Sequence, residues 1–193
     1  MPAPPRNTAA GLHHIWVNAT GNWAYFVDDL DRIDWLRRFV AVLDRYGWSA
    51  VAVCQMTTHV HAIVHVPDES LPRGMHRLNL GYSIAFNVRH GRAGQFVRKR
   101  FGSRRIEDGR DLVGTYAYVV LNPVREGMCP RAEDWRWSSY ATAIELSTDF
   151  EFVDPSLVIA ELGSIAALRA YVAERGDEVR PGHVQVTVTG TWP

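Results

Sequence analysis

An α+β fold on an antiparallel sheet, ferredoxin-like in its order of elements, is what this chain predicts. Three observations carry that expectation. Short apolar runs rich in β-branched residues occupy residues 12–19, 48–56 and 59–66, and runs of that length and make-up read as strands. Two longer stretches place apolar residues at every third or fourth position, the period of a helix with one buried stripe. The resulting order is strand–helix–strand–strand–helix–strand, closing on a short strand near residues 104–106, with the helices segregated to one face of the sheet.

Each element has its own signal. Leu12 opens the first strand, and Thr20-Gly21-Asn22 closes it. Asp28 reads as the N-cap of the first helix, with Asp31 in its first turn. Leu30, Ile33, Leu36, Val40 and Leu43 recur at helical spacing along it, and Gly47 stops it. The second and third strands are joined by Thr57-Thr58, a hairpin-length link without Gly or Asn. Ser70 caps a second helix whose stripe is Leu71, Met75, Leu78, Tyr82 and Ala85, ending near Gly91. Residues 91–109 read as a basic, glycine-containing loop with a short strand. A third helix runs from about Asp111 to Asn122, where Pro123 disfavours helical geometry in the residue before it. Residues 155–175 are helical, anchored by Leu157, Leu162, Leu168 and Tyr171. Val184, Val186 and Val188 alternate with polar residues as a strand or extended tail would. The expected division is a domain over 1–145 and a helical extension and tail over 146–193.

The composition, 47% hydrophobic and 22% charged over 193 residues, is that of a globular protein. No apolar run approaches the roughly 20 residues of a membrane helix. The opening Met-Pro-Ala-Pro-Pro-Arg lacks the apolar core of a signal peptide. Cys54 and Cys129 are too few for a disulfide framework or a thiolate metal site, which suits a cytoplasmic, nucleoid-associated protein. Net charge is +0, yet its distribution is uneven: between Arg73 and Arg110 the basic residues outnumber Glu107 and Asp108 to leave +8. A local basic stripe is what phosphate binding requires.

The chemistry rests on two segments. In a strand, His59 and His61 project from the same face and present two imidazoles able to chelate a divalent cation. In the third helix Asp111, Thr115, Tyr118 and Asn122 share one polar stripe, whereas Leu112, Tyr116 and Val119 share an apolar one. Tyr116 is thereby expected in the core. Tyr118 and Asn122, one turn apart, are a candidate nucleophile and a candidate amide ligand for the same phosphate. His65 shares the parity of His59 and His61 and is expected to be structural.

His59-Val60-His61 resembles the HUH motif (histidine, bulky apolar, histidine) of single-tyrosine transposases and rolling-circle nucleases. The run from Tyr118 through Asn122-Pro123-Val124-Arg125-Glu126-Gly127 resembles the Tyr-x-x-x-Asn-Pro-Val-Arg-Ala-Gly signature of REP-associated tyrosine transposases. Trp137-Ser138-Ser139-Tyr140, the stretch over 75–90 and Gly91-Arg92-x-Gly94 are similar to further family features. The resemblance covers residues 12–140, with a weaker echo to about 175. Two departures stand out: Thr57-Thr58 replaces the family's Pro-Asn, altering how His59 is presented. Thr20-Gly21-Asn22 replaces Arg-Gly-Asn, removing a phosphate contact.

The resemblance implies a DNA transposase or endonuclease. Tyr118 would be catalytic, and His59, His61 and Asn122 would hold Mg²⁺ or Mn²⁺. The product would be a 5′-phosphotyrosine and a free 3′-hydroxyl, so that strands are cleaved and rejoined without ATP. Single-stranded or hairpin DNA from palindromic repeats is the expected partner, bound by a monomer or dimer. Arg89, Arg92, Arg98, Lys99, Arg100, Arg104, Arg105 and Arg125 are the expected backbone contacts, with Phe96 and Phe101 as stacking surfaces. The alternative is a domesticated, non-catalytic relative that only binds DNA hairpins. A regulatory or RNA-binding module with an incidental histidine pair ranks last, since it leaves Asn-Pro-Val-Arg beyond a polar-face tyrosine unexplained.

Overall fold

In the computed structural model, residues 8–21, 23–97 and 101–179 are described. The elements are β1 (Gly11–Asn18), α1 (Asp29–Tyr46), β2 (Ser49–Gln55), β3 (His59–Val66), α2 (Leu71–Arg89), β4 (Gly102–Arg105), α3 (Gly109–Val120), α4 (Asn122–Arg125), α5 (Tyr140–Ala143), α6 (Ser156–Leu162) and α7 (Ile165–Val179). All strand pairs are antiparallel, in the order β2-β3-β1-β4. That is the ferredoxin-like order expected from sequence, and it puts β1 and β3 side by side in the centre.

Strand parity divides the core in two. Ile15 and Val17 of β1 and Val60, Ala62, Val64 and Val66 of β3 face α1 and α2. Ile63 faces the opposite way, with Val51 and Cys54, toward α3 and its Val113, Tyr116 and Val120. The expected one-sided arrangement therefore holds for α1 and α2, while α3 covers the other face. A register shift between Ala50 and Ala52 lets β2 serve both sides. Residues 156–179 add Val158, Leu168 and Val172 to the α3 side. Among the described residues, no single helix is long and apolar enough to cross a membrane.

Helix α1 starts where Asp28 accepts a hydrogen bond from the Asp31 backbone and stops at Gly47, whose φ of 64° is left-handed. Its buried residues are Asp31, Arg32, Trp35, Phe39, Val42 and Leu43. The stripe read from the aliphatic residues is thus rotated from the true one, and Leu30 is exposed. The aromatics won because Trp35 and Phe39 remove more apolar surface from water than the leucines they displace. In α2 the stripe is as expected except that Phe86 takes the inward place assigned to Ala85.

Phe96 and Phe101 are also corrected. Both are buried, and Phe96 stacks on Phe86 with ring centres 3.9 Å apart, so neither is a platform for bases. The third helix begins two residues earlier than expected, capped by Asp108. Pro123 interrupts the helix without ending it: α3 stops at Val120, and α4 continues for one turn from Asn122. The tail containing Val184, Val186 and Val188 lies outside the described residues.

Candidate active site

Four side chains singled out in the sequence line one cavity of about 1030 Å³: His59, His61, Tyr118 and Asn122. β3 supplies the histidines, which share the sheet face covered by α3. Their rings lie 4.9 Å apart. Tyr118 reaches them from above, its ring centre 5.5 Å from that of His61. It is 40% exposed, whereas Tyr116, two residues back, is wholly buried as its phase requires.

Hydrogen bonds fix how these groups point. The His61 Nδ1 lies 2.9 Å from the Nε2 of His14, a buried histidine on β1. The His59 Nδ1 lies 3.0 Å from the Thr58 hydroxyl. Each imidazole therefore has its Nδ1 engaged within the fold and its Nε2 left for another partner. The Asn122 amide nitrogen donates to the Tyr118 carbonyl at 2.8 Å. Because that bond takes the NH₂ end, the amide oxygen is the end left for a ligand, close enough to His59 to raise its pKa.

Burial keeps the imidazoles neutral. It lowers His14 to about 4, helped by the nearby Arg104 charge. His61 falls to about 3 through burial, with His14 and His59 adding repulsion between cations. His59 is lowered by burial, opposed by the Glu126 carboxylate and by Asn122. A neutral imidazole is the form that ligates metal. Two ring nitrogens and one amide oxygen around an open cavity suit a divalent cation with free positions for substrate oxygens. Among the described residues, no cluster of three His, Cys, Asp or Glu side chains is arranged to hold a metal, so a cation held by His59 and His61 would take a third ligand of another kind, such as the amide.

The expected DNA contacts scatter. Arg104 lines the cavity, but Asp111 grips it at 2.7 and 2.8 Å, and Thr115 accepts a third bond. This clamp ties the first turns of α3 to β4. Arg125 lies over the Tyr118 ring, 4.8 Å from its centre. Arg89 is held by Asp28 and Asp31, Arg92 lies 4.2 Å from the Trp23 ring centre, and Arg105 is 3.9 Å from Glu107. Asp28, Asp31 and Asp111 all lie outside the basic segment, so its +8 overstates the charge left for a partner. Arg98, Lys99 and Arg100 lie outside the described residues.

No family model matches the chain. A Haemophilus influenzae protein named as a REP-associated tyrosine transposase is 24% identical over 114 residues, which span 50% of this chain and 61% of that relative. A solved structure of a REP-associated tyrosine transposase bound to a REP hairpin matches with a TM-score of 0.67 at 16% identity, covering 80% of this chain and 98% of that one. In sequence and in fold, the chain is similar to REP-associated tyrosine transposases.

The departures from the signature acquire a physical reading. Thr58, in place of the family's Asn, has its hydroxyl within hydrogen-bond distance of the His59 Nδ1, and the Thr57 carbonyl accepts the Tyr25 amide at 2.8 Å, so the turn before the histidines is anchored. The Trp-Ser-Ser-Tyr signature is structural here. The Gln55 backbone N–H donates to the Trp137 carbonyl, and Ser139 donates its backbone N–H to the Val53 carbonyl while its hydroxyl accepts the Val53 N–H, closing the outer edge of β2. Arg32 braces the same corner, donating to the Gln55 carbonyl beside the Trp135 and Trp137 rings. Sequence reading missed His14, Trp16, Asn18 and Glu126 in the cavity lining. Alternation along β1 puts His14, Trp16 and Asn18 on one face, a signal already present in the run.

Proposed function

We propose that this chain is a metal-dependent DNA transposase or endonuclease that cleaves and rejoins single-stranded or hairpin DNA through Tyr118. The observation that carries the reading is the meeting of Tyr118 and Asn122, one helical turn apart, with His59 and His61 across a single cavity. Hairpin DNA formed by palindromic repeats is the proposed partner.

His59, His61 and the Asn122 amide oxygen would hold the cation, Mg²⁺ or Mn²⁺, which when bound polarises a non-bridging phosphate oxygen. The Tyr118 oxygen attacks phosphorus as the bond to the 3′-oxygen breaks. The phenolic proton is lost, the departing oxygen gains one, and the new bond is a 5′-phosphotyrosine. Reversal by another 3′-hydroxyl joins strands, since the phosphoester is conserved throughout. The Arg125 guanidinium lies over the Tyr118 ring and helps to hold it in place over the cavity. His14 and Thr58 each engage the Nδ1 of one imidazole, which leaves the Nε2 of each ring for the cation.

The test is covalent adduct formation on a radiolabelled hairpin with Mn²⁺. Tyr118→Phe removes one oxygen from a side chain 40% exposed, so folding and DNA binding should persist while the adduct disappears. An adduct that survives in Tyr118→Phe removes Tyr118 as the nucleophile. A parent protein that forms none on any palindromic substrate shifts the reading to hairpin binding without chemistry.

A further inference from the structure

The cavity extends beyond the groups that cleavage needs. On β1, Trp16 pairs directly across from His61, and Asn18 directly across from His59. Facing residues in such a pair lie about 4.5–5.5 Å apart at Cβ, so both candidate metal ligands have a neighbour on the same sheet face. Trp16 and Asn18 both line the cavity. On its other side Trp16 pairs with Gly102 of β4. A Cβ at Gly102 would run into the indole ring, so the ring lies across β4 with only backbone beside it. His14 flanks the indole at 5.1 Å between ring centres. The Trp16 ring is thereby fixed in place and remains half-buried. Asn18 is exposed, and its amide makes no hydrogen bond among the described residues.

We propose that Trp16 and Asn18 form a nucleobase subsite, in which the unpaired base next to the scissile phosphate stacks on the indole and meets the Asn18 amide at its edge. The inference rests on the DNA-cleaving reading and adds to it a means of choosing where to cut. A phosphate held beside His59 and His61 brings its own nucleoside to their cross-strand neighbours. Only an unpaired base has a free face to offer an aromatic ring. Charge also argues for a base here over a second phosphate, because Arg104, the one of the two cavity-lining arginines that sits on the strand next to β1, is already neutralised by Asp111. An amide carries both donor and acceptor, so it discriminates among base edges where a ring alone would not.

The experiment walks 2-aminopurine along the single-stranded flank of a hairpin and records its fluorescence on binding to Tyr118→Phe protein, which cannot cleave. One position should be quenched. Adding Trp16→Ala should abolish that quench and weaken binding roughly 5- to 150-fold, the range for one base–aromatic stack, while Trp16→Phe retains most of both. Asn18→Ala in the cleaving protein should flatten the preference among the four bases at that position. Mn²⁺ titration should be the same for Trp16→Phe and Asn18→Ala as for the parent, separating a base contact from damage to the metal corner. A parent that cleaves, while Trp16→Ala keeps the quench and Asn18→Ala keeps the base preference, overturns the subsite alone. A parent that binds no DNA overturns the subsite and the DNA reading together.

Discussion

Replacing His14 by Phe isolates one bond. The His14 Nε2 and the His61 Nδ1 are 2.9 Å apart, and the two residues are 7% and 6% exposed, so water cannot substitute for the lost partner. For His61 to ligate through Nε2 its proton must sit on Nδ1, and His14 is then the acceptor that holds it there. Phenylalanine keeps an aromatic ring in contact with His61 and Tyr118 and removes only the acceptor. A buried N–H left without a partner costs about 1–3 kcal/mol. Losing such an outer partner of a ligating histidine typically lowers metal affinity about 10- to 100-fold. Calorimetric titration with Mn²⁺ and a urea midpoint for parent, His14→Phe and His14→Gln would measure both effects. The glutamine oxygen can still accept, so that variant should fall between the other two. If His14→Phe bound Mn²⁺ as tightly as the parent and unfolded at the same urea concentration, the bond would have no orienting role.

Acid should weaken the fold over a window set by the histidines. His14 and His61 have folded-state pKa values of about 4 and about 3, against 6.5 for an unfolded histidine. The unfolded chain therefore gains protons first, and their stabilisation, complete above pH 6.5, is lost as pH falls toward 4 and 3. The slope approaches roughly 1.4 kcal/mol per pH unit for each such histidine. Arg89 and Arg104 lower Asp28 and Asp111 beneath 3.8, so those carboxylates contribute only at the acid end of that window and below it. Urea unfolding between pH 7 and 4.5 would report the slope, and a profile flat over that range refutes the assignment. Separately, Tyr116→Phe should retain adduct formation and match or exceed parental stability by up to about 1 kcal/mol, because the Tyr116 hydroxyl is buried without a partner. A clear loss of stability would mean that this hydroxyl is satisfied by something else.

Much of this architecture is readable from local signals. The limits of α1 follow from Asp28 and Gly47, and the span His59–Val66 is visible as an apolar run bounded by Thr58 and Pro67. The division of α3 into a polar face with Tyr118 and an apolar face with Tyr116 is a matter of phase alone. What sequence could not supply is contact between elements distant in the chain. His14 and His61 are 47 positions apart, and their meeting depends on the register of β1 against β3, which alternation does not fix. The same holds for the arginines. Counting charge along residues 73–110 is sound arithmetic, but Asp28 and Asp31 reach Arg89 only through the packing of α1 on α2. The inward turn of Phe96 and Phe101 is also tertiary, since an aromatic among arginines has the same local context whether it faces a base or the core.

The bond from Asn122 to the Tyr118 carbonyl ends on main chain, and its consequence lies in what it leaves unconstrained. The amide is oriented by the helix backbone, not by the tyrosine ring. If Tyr118 carries a covalently attached strand as proposed, rotation about its side chain would move that strand without disturbing the Asn122 amide. In the proposed reaction the tyrosine that would carry the DNA end and the amide that would hold the cation thus share one helical turn without being tied side chain to side chain, an arrangement suited to holding one end while another is awaited.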